Sequence, residues 1–251
     1  MLTIQNLTKT FGGLAAVSDL SLTITAGEMF ACIGPNGSGK TTTVKMLAGL
    51  YMPSRGTIEI AGINLADEPE KAKAAVGYIP DEPFIYEKMS GREFLNFIGT
   101  LYGMRPGAIQ EETKKYVSRF PGLEEVVDGY VESYSRGNKQ KLATVGALLH
   151  HPKLLLIDEP MVGLDPQSVR TVKDLIRNFA EEGGAVFLCT HTLSVAEELA
   201  KHIGILEKGK LIASGTLSEL RTKAGLSSVA LANEEKSGAS LEEIYLGLTK
   251  A

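Results

Sequence analysis

Residues 29–42 read MFACIGPNGSGKTT, and this stretch decides the fold. Met29 to Ile33 is an unbroken apolar run with the look of a buried strand, and a glycine-rich loop follows it. From Thr41 to Leu50 the apolar residues Val44, Met46, Leu47 and Leu50 recur at roughly helical spacing. The order is therefore strand, loop, helix. Across the join, Gly34-Pro35-Asn36-Gly37-Ser38-Gly39-Lys40-Thr41 satisfies the GxxxxGK[ST] pattern in full. Glycines let successive backbone N–H groups converge on one anion, and the helix N-terminus adds its partial positive charge. Lys40 is expected to reach the β- and γ-phosphates of a bound nucleotide, Thr41 to ligate Mg²⁺, and Thr42 to join the nucleotide contacts.

Working outward, Thr3 to Thr25 alternates apolar and polar residues around Gly12-Gly13, which predicts antiparallel strands and a turn. Thr57–Ala61 and Ala75–Ile79 read as short strands. Ser90 with Glu93 forms a capping box before an amphipathic helix from Phe94 to Tyr102. A second helix is expected over Gly107–Phe120, stopped by Pro121-Gly122, and a third from Ser135 through Leu149. Strand patterns return at Lys153–Asp158 and Ala185–Thr190, separated by a helix over Pro166–Glu182 with Asp165 as N-cap. Strands at Ile203–Leu206 and Lys210–Ala213, a capping box at Thr216–Glu219 and a closing helix at Leu241–Leu248 complete the reading. Strands alternating with helices argue for parallel βαβ units.

The second chemical signal is Leu154-Leu155-Leu156-Ile157-Asp158-Glu159. A buried strand ending in acids delivers them to the ligand crevice at the carboxyl edge of an α/β sheet. Asp158 is expected to hold Mg²⁺ and Glu159 to polarise the attacking water; taken alone, the pair could also be an acidic strand end at the surface.

The chain has 251 residues, 43% hydrophobic and 22% charged, with net charge -4. Without a Lys/Arg-rich run, that balance gives nucleic-acid binding no electrostatic support. Cys32 and Cys189 sit in apolar runs and read as small buried thiols in a reducing compartment. The N-terminus lacks the pattern of a secretory signal, and no stretch approaches the ~18 apolar residues of a membrane-spanning helix. His150 and His151 read as helix C-terminal residues favourable to the dipole.

These residues together resemble the ATP-binding cassette family over nearly the whole chain. Tyr134-Ser135-Arg136-Gly137-Asn138-Lys139-Gln140-Lys141 is similar to the family's LSGGQ signature. Gly163-Leu164-Asp165-Pro166 looks like its D-loop, Thr190-His191 its switch histidine, and Phe11, with Val17 close behind, the aromatic that stacks on adenine. The resemblance implies one ATPase domain over residues 1–251. Its fold would be a P-loop NTPase core with a mostly parallel sheet (1–80 and 151–220), an antiparallel N-terminal β-subdomain, a helical signature-bearing lobe (81–150) and a C-terminal extension (221–251). It also implies a head-to-tail dimer with a second copy or a homologous subunit. There Ser135, Gly137 and Asn138 of one chain would face the other's ATP, Asp165 would link the sites, and His191 would act with Glu159 and Lys40 in catalysis. An integral-membrane permease would hold the chain at the cytoplasmic face of the membrane, with Phe84, Ile85 and Tyr86 either contacting it or packing beneath the helical lobe.

Three departures from the family pattern stand out. Asp81 occupies the place of the Q-loop glutamine, where it could still ligate Mg²⁺ but would add negative charge. Arg136 replaces the first signature glycine, either beside the phosphates of the other chain or in solvent. Asn138 replaces the signature glutamine, and Tyr134 in place of leucine reads as a packing change. Met161 and Val162, with Asp81, resemble a bacterial exporter-type subgroup. The leading reading is the ATPase subunit of a membrane transporter; export is what the subgroup resemblance implies, while the residues themselves leave the direction open. A soluble cassette acting on ribosomes or DNA is the alternative, and a P-loop kinase leaves the signature and His191 without a role.

Overall fold

The computed structural model describes residues 1–226 and 240–249; most of the Gly225–Gly238 stretch, which has no clear sequence periodicity, lies outside them. In chain order the elements begin with strands β1 (Leu2–Phe11), β2 (Leu14–Ile24) and β3 (Met29–Ile33), helix α1 (Lys40–Leu47), and strands β4 (Arg55–Ile60) and β5 (Ile63–Asn64). Helix α2 (Pro69–Ala74) and strand β6 (Val76–Ile79) lead to four helices: α3 (Gly91–Leu101), α4 (Pro106–Val117), α5 (Leu123–Val126) and α6 (Arg136–Leu148). Then follow β7 (Leu154–Asp158), α7 (Pro166–Glu181), β8 (Ala185–Thr190), α8 (Leu193–Leu199), β9 (His202–Glu207), β10 (Lys210–Gly215), α9 (Leu217–Lys223) and α10 (Leu241–Thr249).

Two sheets organise the chain. The antiparallel one has the order β2-β1-β4-β5, and the six-stranded one the order β10-β9-β3-β8-β7-β6. In the larger sheet β9, β3, β8, β7 and β6 run parallel, and β10 turns back antiparallel along the edge. Register explains where the chemistry lies. Ile33 is level with Thr190, and Asp158 with Cys189, so the loops after β3, β7 and β8 leave the sheet along one edge. Open α/β sheets place ligands at that carboxyl edge.

Burial on both faces accounts for the continuous apolar runs of β3, β7 and β8, which parallel strands covered on each side require. On one face, Leu155, Ile157, Val186 and Leu188 share a core with Leu95, Leu142 and Val145 of the helical segment. On the other, Cys32, Leu154, Leu156 and Phe187 pack against the antiparallel sheet through Leu2, Ile4 and Ile58. Phe30 and Phe187 stack there with ring centroids 5.8 Å apart. Cys32 and Cys189 are register partners in the middle of the sheet, both free and buried, as the sequence predicts.

Two local expectations need correction. Helix α1 stops at Leu47, not Leu50. Gly49 N–H donates to Met46 O at 3.0 Å and Leu50 N–H to Lys45 O at 2.8 Å, a Schellman closure that leaves Leu50 outside the helix. His150 is not a cation on the dipole of α6. Its ring stacks on Tyr102 at 3.6 Å, Nε2 lies 3.1 Å from Val76 O, and burial lowers its pKa from 6.5 to about 4.

Candidate active site

The loop between β3 and α1 is shaped by contacts a side chain would break. Gly39 has φ +107°, and a Cβ there would sit 2.5 Å from the carbonyl oxygen of Ala16. This glycine is also the N-cap of α1, and no side chain caps it, so the first N–H groups of the helix point to the loop's mouth. Lys40 is 7% exposed, and its Nζ donates to the carbonyls of Gly34 at 2.7 Å and Pro35 at 3.0 Å. The ammonium thus folds across the loop at the point where an anion would lie. Ser38 is buried and Thr42 lines the same cavity, together with Asn36 and Gly37.

The carboxylates part at a left-handed residue. Asp158 ends β7, and Glu159 has φ +50°, so the two side chains leave in different directions. Burial raises the Asp158 pKa, opposed by a hydrogen bond with Thr41 and reinforced by the nearby charges of Glu159 and Asp81. Its Oδ1 is buried without a hydrogen-bond partner among the described residues. A hard divalent cation held by one hydroxyl, a carboxylate and phosphate oxygens fits this donor set, as Mg²⁺ does in phosphate sites. Glu159 is gripped from β8: Oε1 accepts from His191 N–H at 2.7 Å and lies 2.6 Å from His191 Nδ1, while Thr190 Oγ1 donates to Oε2 at 3.0 Å. Thr190 was not a sequence candidate, though its place beside His191 was the available signal.

Lys40, Thr41, Asp81, Asp158, Glu159 and His191 line one open cavity of about 370 Å³, and Arg136 lines it with them. The fold therefore gathers residues 151 positions apart, from Lys40 to His191. Ser135 caps α6 by accepting from Asn138 N–H at 3.2 Å. Gly137 backs onto the D-loop, where a Cβ would meet the Gly163 carbonyl at 2.7 Å. Asp165 caps α7 through Ser168 N–H at 2.8 Å and Ser168 Oγ at 2.5 Å, and Lys141 Nζ lies 3.2 Å from its Oδ2. These contacts, the Ser168 hydroxyl foremost, hold the Asp165 carboxyl far below the usual range. Tyr134 is buried, with its hydroxyl donating to Val126 O at 2.6 Å, the packing role expected for it.

The adenine candidates are split. Phe11 is 45% exposed at the end of β1, edge-on to Tyr51 at 5.6 Å, with Lys9 Nζ 5.0 Å from its ring centre. Val17 is fully buried beneath Gly39; its neighbour Ala16, which the sequence reading passed over, is the one that lines the cavity. The apolar trio is split as well, with Ile85 buried in the core and Phe84 85% exposed.

Comparison with known proteins places the chain in a family. The family described as ABC transporter matches residues 17–162. The chain is 35% identical over 225 residues to the linearmycin resistance ATP-binding protein LnrL of Bacillus subtilis (strain 168), covering 90% of this chain and 72% of that protein. It is 31% identical over 250 residues to the ABC-type transporter ATP-binding protein EcsA of the same organism, covering 100% and 97%. A solved structure described as the ATP-binding subunit of an ABC transporter superposes with a TM-score of 0.91 at 34% identity, covering 99% of each chain.

Proposed function

The chain belongs to the ABC transporter family as an ATP-binding, ATP-hydrolysing subunit, and from that premise we propose that it drives a membrane exporter. The observation that carries the reading is the single cavity shared by Lys40, Thr41, Asp158, Glu159 and His191. ATP entering it would draw Lys40 away from the Gly34 and Pro35 carbonyls and onto the β- and γ-phosphates, exchanging neutral acceptors for charged ones. Thr41 and Asp158 would hold Mg²⁺, with Asp81 at the rim; the ion, when bound, spreads the charge that develops on the phosphates.

Glu159 would accept the proton of the attacking water, and its three contacts to His191 and Thr190 fix its carboxylate for that task. Two such chains, head to tail, would set Ser135, Gly137 and Asn138 of one against the nucleotide of the other, with Phe11 beside the adenine. The N-terminus of α6, capped by Ser135, would then turn its dipole and remaining N–H groups toward the γ-phosphate, as the uncapped α1 does in its own chain.

Export through a separate permease is supported by the likeness to a resistance-linked ATP-binding protein and by the surface around residue 84. No helix among the described residues is long and apolar enough to cross a membrane. A cavity of about 630 Å³ opens beside Pro83, Phe84 and Ile85, runs under Phe94, Ile98 and Tyr102, and reaches Thr41 and Asp158 at its inner end. An amphipathic helix of a permease would dock at its outer end, on Phe84 and Ile98, leaving the inner end to nucleotide, and would hold this chain at the inner membrane face. Tagged chain extracted from its source membranes in mild detergent should carry a stoichiometric polytopic membrane protein. Phe84→Asp should lose that partner while its ATP turnover in solution persists. Ribosomes or DNA in place of a membrane protein would overturn the transport reading.

A further inference from the structure

We propose that Arg136 is a positioning residue for Asp81, a cis ion pair that ties the loop after β6 to the signature helix and masks a carboxylate beside the phosphate site. The inference rests on the nucleotide-site reading above. Arg136 Nη2 lies 3.1 Å from Asp81 Oδ1, joining residues 55 positions apart. Both line the cavity that holds Lys40, Asp158 and Glu159. The guanidinium is not a loose surface group. Its stem packs on Gly163, where a Cβ would sit 3.3 Å from Arg136 Cδ, so the side chain runs from the D-loop to Asp81.

The pair is one of three bonds from the same side of α6. Lys139 Nζ lies 3.1 Å from Glu87 Oε1, and Gln140 Nε2 donates to Pro80 O at 3.0 Å. Positions 136, 139 and 140 have the i, i+3, i+4 spacing that shares a helix face. Together they fasten residues 80–87 to the helix. Of the three, only the Arg136–Asp81 bond faces the phosphate cavity.

Both side chains are about half exposed, so the pair adds little to folding. Its effect falls on the charge that nucleotide meets. Asp81 lines the same cavity as Asp158 and Glu159, adding a third carboxylate to the place where phosphates would enter. Left unmasked, that carboxylate would repel an incoming triphosphate, and Arg136 cancels it. The two departures from the family pattern are thereby one compensated change of opposite charges. This also directs Arg136 to its own chain's site, not to the phosphates of a partner.

The test is a double-mutant cycle on nucleotide affinity, measured with a fluorescent ATP analogue in EDTA so that neither Mg²⁺ nor turnover enters. Arg136→Gln should weaken binding about tenfold at low salt, and the loss should shrink as salt rises. In an Asp81→Asn background the same substitution should cost less than twofold, and exchanging the charges (Arg136→Asp with Asp81→Arg) should recover most of the affinity. Thermal unfolding of each variant checks that it is folded. Equal losses in both backgrounds, or a loss indifferent to salt, would overturn the pairing while the nucleotide site stands. A wild-type chain that does not bind the analogue would overturn the nucleotide site and the pairing together.

Discussion

At Glu159 the backbone takes a conformation that a residue with a Cβ adopts at a cost of roughly 1 kcal/mol. The bend turns this carboxylate away from Asp158 and into the reach of His191 and Thr190. Glu159→Gln should keep ATP affinity within a few-fold and lower turnover by about 10²–10⁴, the usual loss when a general base is removed. Single-turnover hydrolysis checks the rate. Light scattering at saturating MgATP checks assembly, since a variant that cannot turn over should accumulate as the ATP-bound dimer. A strictly monomeric species there would sink the head-to-tail arrangement. Lys40, Asp158 and Glu159 could be named from sequence, because each sits at a fixed distance from a strand end; His191 followed only from the resemblance to the cassette family. The bond from Arg136 to Asp81 could not, since it depends on how two distant loops meet.

Among the elements, His150 links three of them: it follows α6, stacks on Tyr102 at the end of α3 and faces the Val76 carbonyl of β6. Its pKa falls from 6.5 to about 4 on folding. Between those values the unfolded chain binds more protons, so this contribution to stability is full above pH 6.5 and is lost as pH falls toward 4. Denaturant melts at stepped pH should show a decline on the order of 2 kcal/mol that His150→Phe flattens. An unchanged slope in that variant would assign the acid sensitivity to carboxylates instead.

The same scale shows what sequence can and cannot disclose. Capping is local, so Ser90, Asp165 and Thr216 were legible as helix starts, and each side chain accepts from the residue three positions on. Short elements were not: β5 has two residues, α8 seven, and α2 buries only Ala72, too little for any period to register. The end of α1 was overshot because apolar spacing is blind to a Schellman turn. His150 was misassigned because its neighbours, Tyr102 and Val76, lie 48 and 74 positions away.

Across the whole molecule, the parallel sheet is the frame that converts strand register into an active-site edge, and its two faces are sealed by different partners. One consequence concerns the pair of cysteines at its centre. Cys189 Sγ lies 3.7 Å from the Lys40 carbonyl, and both thiols are at most 1% exposed. Burial raises the Cys189 pKa further, which keeps the thiol form dominant. An alkylating reagent can therefore reach them only after the sheet separates. The chain carries its own stopwatch for opening. Mass spectrometry of labelled protein should show both sulfurs modified together, at a rate set by opening, and ATP should slow that rate in proportion to its occupancy of the loop above. Rapid modification of either sulfur in native buffer would mean that the centre of the sheet breathes independently of the rest.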